Sequence, residues 1–105
     1  MLPLSTLGNW NNVLSVYLEI TKLDANNSIA NYRLASIYYT RKDYANATQY
    51  VSKVLKLYPF DYDSNLLTGK ILMAQAKNAE AKKYFTKALE YNPQSEEAKV
   101  AIKKL

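Results

Sequence analysis

The side chains that most often carry covalent or acid–base chemistry are missing from this chain. Its 105 residues include no cysteine and no histidine, which removes the commonest nucleophile, the commonest general base and the commonest metal ligands, and excludes disulfides. What remains is fourteen Lys and Arg against nine Asp and Glu, with ten tyrosines. The densest basic groups are Lys82, Lys83 and Lys87, then Lys99, Lys103 and Lys104. Each has acidic neighbours (Glu80, Glu90, Glu96, Glu97), the pattern of a solvated helix face rather than of a surface that tracks phosphates. Asn26-Asn27-Ser28 and Asn46-Ala47-Thr48 match the glycosylation triplet, but such matches arise by chance in an Asn-rich chain, and Asn46 falls early in an expected packed helix. The chemistry on offer is noncovalent recognition, so no enzymatic activity, cofactor or metal is expected.

The elements that would position such a surface are helical. With two Gly, three Pro and 49% hydrophobic residues, the composition suits one helical domain with a continuous core. No apolar run approaches the ~20 residues needed to span a bilayer. The start, Met1 to Gly8, lacks the basic segment and apolar length of a secretion signal. The expected compartment is the cytoplasm, and a mature exported form would read the same.

Organisation comes from a repeat. Residues 28–61 are restated by residues 62–95 with no insertion or deletion, a step of 34 residues that aligns Asn31/Asn65, Ile37/Ile71, Ala45/Ala79, Ala47/Ala81, Tyr50/Tyr84, Lys53/Lys87, Leu55/Leu89 and Pro59/Pro93. A fixed period of this length marks a helical repeat array. Within it the apolar spacing and the capping residues place helices at about 29–40, 44–57, 64–75 and 79–91, with Asp43 and either Asp61 or Asp63 as N-caps and Pro59 and Pro93 as stops. A closing helix starts after Ser95. Before the full units, a helix from about Asn9 or Trp10 to Leu23 carries one face of Trp10, Val13, Tyr17 and Ile20 and a second of Leu14 and Leu18. Residues 1–8, with Pro3 and Gly8, receive no regular structure.

The unit resembles the tetratricopeptide repeat: 34 residues, small side chains where helices A and B cross, a large apolar residue on helix B, and Pro after it. Leu34, Ala35, Tyr38, Tyr44, Ala47, Leu55 and Pro59 carry the match in the first unit. Gly69, Ala81, Phe85, Ala88, Leu89 and Pro93 carry it in the second. The family's usual Trp early in helix A is Asn31 and Asn65 here, Val54 replaces a small residue, and Thr68 stands where Leu is usual. Shifted by one repeat, Trp10, Val13, Tyr17 and Ile20 fall on Tyr44, Ala47, Val51 and Val54, so the N-terminal segment resembles a helix B without its helix A. The resemblance implies an all-α superhelix of antiparallel pairs: a half repeat over 1–27, units 28–61 and 62–95, and a capping helix over 96–105.

It also implies a function. Family members hold extended peptides or partner helices in a concave groove lined by A helices. Carried over position by position, the groove residues would be Ile29, Tyr32, Arg33, Ser36, Tyr39 and Thr40, then Asp63, Leu66, Lys70 and Met73, with Glu97 and Val100 from the closing helix. Tyr32 and Tyr39 are the expected anchors, since tyrosine offers area and a hydroxyl at low entropic cost. The bland alternative packs both against the N-terminal helix, Met73 in the core, and Arg33 and Lys70 in water. Docking of acidic chaperone tails is not expected, because Asp63 and Glu97 lie beside Arg33 and Lys70 and the asparagines of that mode are absent. A second reading is self-association through Leu14 and Leu18, left exposed beside Val16 by the missing helix A. A third, RNA binding, is disfavoured by the 34-residue step and the two-unit length.

Overall fold

The computed structural model describes the backbone of residues 2–105 and the side chains of residues 13–105. Six helices follow one another: α1 (Leu2–Leu23), α2 (Ser28–Thr40), α3 (Tyr44–Leu57), α4 (Tyr62–Ala74), α5 (Asn78–Tyr91) and α6 (Glu96–Lys104). Three of them begin at the same point of the repeat. Asn27, Asp61 and Ser95 each accept a hydrogen bond from the amide three residues on, at 3.0, 3.0 and 3.2 Å, which satisfies a donor the first turn leaves unpaired. Asp43 caps α3 in the same way through the Asn46 amide at 3.3 Å. With Asp61 as the cap, α4 starts two residues before the expected Ser64 and Asp63 is left free of capping duty.

The first helix departs most from expectation, beginning at Leu2 instead of near Asn9. Pro3 falls in the first turn, where its missing N–H would have no intrahelical acceptor, and an interior glycine such as Gly8 costs only about 1 kcal/mol. The side chain of Trp10, expected on the core face, lies outside the described residues.

Helix pairs close where side chains are small. Ala35 meets Ala47 and Val51 in one core cluster, which Leu67 and Ile71 of α4 complete. A second cluster joins Leu66 of α4 to Ala81, Phe85 and Ala88 of α5 and to Ala98 and Ala101 of α6. α4 therefore serves two cores, which is why every residue from Ser64 to Gly69 is buried. Its buried hydroxyls are satisfied locally: Ser64 bonds to Asp61, and Thr68 donates to the Ser64 carbonyl at 2.8 Å. A Cβ on Gly69 would lie 2.8 Å from the Phe85 ring, so this crossing requires glycine.

α1 packs on α2 alone among its substantial neighbours. The half-buried residues are Leu14, Tyr17, Leu18, Ile20 and Thr21, whereas Val13 and Val16 are exposed, Val16 at 56%. Leu14 and Leu18 are thus not the open stripe. The repeat explains the exchange: Val13 corresponds to Ala47 and Val16 to Tyr50, positions that in the first full unit pack onto helix A, with Tyr50 stacked on Tyr38 at 5.7 Å. On α1 that face has no described partner. Among the described residues no helix is long and apolar enough to cross a membrane.

Candidate peptide-binding groove

Ile29, Tyr32, Arg33, Ser36 and Thr40 recur at helical spacing and so share one face of α2. The N-terminal part of that face opens onto a cleft of about 890 Å³, lined by Ile29, Tyr32 and Arg33, by Asp63 of α4, and by the end of α3 with the turn that follows it. Tyr32 is half-buried against the Ala35 cluster. Burial pushes its hydroxyl above the ordinary tyrosine value of 10.0; a hydrogen bond with the Ser36 side chain opposes this, and the charges of Asp63, Lys70 and Arg33 act on it more weakly. The phenol is therefore neutral at physiological pH, with three charged groups around it and its ring open on one side.

The remaining expected positions divide. Ile29, Arg33 and Thr40 are exposed, and the Thr40 hydroxyl donates to the Ser36 carbonyl at 3.0 Å. Tyr39 is half-buried and tilts against Tyr44 at 6.1 Å, so part of its surface is spent inside the fold. Lys70 pairs with Glu97 of α6. Leu66 is only 6% exposed and belongs to the core, not the groove, and Met73 packs against the same cluster. The reason is a series: Tyr32, Leu66 and Val100 occupy one repeat position, but α6 covers Leu66, while no described helix follows Val100, which is 46% exposed.

Leu57, Tyr58 and Phe60 line the cleft yet were not foreseen as site residues. A signal was available. Leu57-Tyr58-Pro59-Phe60 places large apolar residues around a helix-stopping proline, where turns are ordinarily polar. The turn is held from below: Asn65 donates its side-chain amide to the carbonyls of Pro59 at 3.1 Å and Asp61 at 2.8 Å. Asn31 does the same one repeat earlier, to Ala25 at 3.0 Å. These are the two asparagines that replace the family's Trp.

Comparison with known proteins agrees with this architecture. The first TPR of Spaghetti (RPAP3) bound to an HSP90 peptide superposes with a TM-score of 0.87 at 24% identity, over 94% of this chain and 79% of that one. The Arabidopsis OM64 TPR domain gives 0.87 at 25% identity, over 95% and 83%. In sequence, DnaJ homolog subfamily C member 3 of Gallus gallus is 34% identical over 94 residues, and this chain spans 18% of its length. Residues 10–105 match the tetratricopeptide repeat-like domain; with the repeat register and the six-helix fold pointing the same way, the chain belongs to that family.

Proposed function

We propose that this chain is a noncatalytic adaptor that holds an extended peptide of a partner protein on the A-helix face of α2 and α4. The observation that carries the reading is the open cleft beside a half-buried, neutral Tyr32 flanked by Arg33 and Asp63. Related folds lend support: the RPAP3 domains occur in complex with an HSP90 peptide and an HSP70 peptide. In this chain Lys70 is engaged by Glu97 and Asp63 stands in the cleft, so the face has no surplus of cations for an acidic tail. The test is a pull-down with the chain and with a Tyr32→Ala, Arg33→Ala pair shown by circular dichroism to be folded. A partner captured by the first and lost by the second supports the adaptor; equal capture by both contradicts it. The exposed Val13 and Val16 favour a second reading, association of copies through α1.

A further inference from the structure

We propose that the cleft selects a bulky apolar side chain of the partner peptide whose sequence neighbours are basic. This rests on the adaptor reading and names its ligand. Four of the eight large exposed hydrophobic residues among those described line this one cleft: Ile29 at 69%, Leu57 at 48%, Tyr58 at 55% and Phe60 at 72%. Exposed apolar side chains scattered singly are ordinary, but a contiguous set around a concavity marks a binding surface. Its volume, about 890 Å³, falls within the range of pockets that enclose small ligands or side chains.

The wall is preformed. Asn65 holds the carbonyls of Pro59 and Asp61, the Asp61 amide bonds to the Tyr58 carbonyl at 3.1 Å, and the Phe60 ring stands edge-on to Tyr91 at 5.6 Å. A site ordered in advance loses little conformational freedom when it is filled, so apolar contact converts more fully into affinity.

Charge then sets the flanks. The ionised side chains lining the cleft are Asp61, Asp63 and Arg33, a local excess of one negative charge on a chain whose net charge is +5. Lys70, the next cation along α4, is matched by Glu97 and does not reverse that balance. Asp61 is committed to capping α4, but Asp63 is exposed, and the ion pairs among the described residues, Lys22–Glu19, Lys70–Glu97 and Lys99–Glu96, do not include it. A lysine or arginine beside the apolar anchor meets a carboxylate there, and an acidic residue is repelled.

The experiment is selection of a random dodecapeptide library displayed on phage against the intact chain, followed by affinity measurements on the enriched peptides. Three folded variants are compared: Leu57→Ala with Phe60→Ala in the cleft wall, Tyr32→Ala with Arg33→Ala on α2, and Asp63→Lys at the start of α4. The expected result is enrichment of sequences with a large apolar residue next to Lys or Arg, about tenfold or more weaker on the wall variant, and a preference lost on Asp63→Lys. Acidic sequences, failure to enrich any, or unchanged affinity on the wall variant would overturn the proposal. If only the α2 variant loses affinity, the adaptor reading survives without this ligand; if neither does, both fall.

Discussion

At the scale of single residues, the steric demand is sharpest at Gly69, where an added Cβ would sit 2.8 to 2.9 Å from three atoms of the buried Phe85 ring. Overpacking of this kind costs about 1–3 kcal/mol, which at least offsets the roughly 1 kcal/mol that alanine gains over glycine in a helix. Gly69→Ala is expected to lower the thermal midpoint followed by circular dichroism; an unchanged or higher midpoint would show that the ring has room. Burial, first among its causes, raises the ionisation of Tyr32 above 10.0, and Tyr50 behaves likewise through burial and the nearby Tyr38. For an acid whose folded value is raised, both states stay protonated below the unfolded value, and above it the unfolded chain releases its proton first. Stability therefore falls as pH rises past about 10. Denaturant titrations from neutral pH upward should show this fall, and Tyr32→Phe with Tyr50→Phe should flatten it; an identical slope in the variant would contradict the assignment. Residue types alone did not separate Tyr32 from Leu66. They share a repeat position, and their exposure is decided by which helix comes next, so tertiary cover and not local pattern made one a cleft residue and the other core.

At the scale of elements, the cap positions repeat with the period, and one of them is defective. Asp43 caps α3 with its carboxylate, but its equivalent, Lys77, offers α5 no side-chain hydrogen bond. Lys77→Asp should supply that acceptor and raise stability by about 0.5–2 kcal/mol, measured by urea denaturation; no gain would mean that the turn cannot present the carboxylate. Helix limits were legible wherever caps and prolines carried them: α3 spans Tyr44–Leu57 as its Asp43 and Pro59 imply. They were illegible at α1, because Pro3 in a first turn and an isolated Gly8 resemble a loop in sequence and are tolerated in a helix. The paired asparagines were visible as a repeat identity, Asn31/Asn65, but their task was not. Each ties its helix to a carbonyl six residues back in the preceding turn, a contact no local periodicity encodes. Likewise Lys53 over Tyr50 and Lys87 over Tyr84, each at 5.2 Å, give physical content to two more repeated identities, a cation–π pair on the B helix of each full unit.

At the scale of the whole molecule, two open surfaces compete for a role: the cleft beside α2 and the Val13–Val16 side of α1. The repeat period made both surfaces foreseeable, the first as a family groove and the second as a half pair, but the register of the open α1 face emerged only from packing on α2. If α1 mediates association, sedimentation at rising concentration should show a larger species that Val16→Lys abolishes; a monomer at all concentrations removes that reading. The more direct measurement concerns the cleft. Amide proton–nitrogen correlation spectra of the chain, titrated with a peptide selected against it, report which residues the ligand reaches. Shifts concentrated at Ile29, Tyr32, Arg33, Tyr58, Phe60 and Asp63 are expected. Shifts confined to Val13 and Val16, or spread over the lysines of α5 with the cleft silent, would contradict peptide capture by the A-helix face.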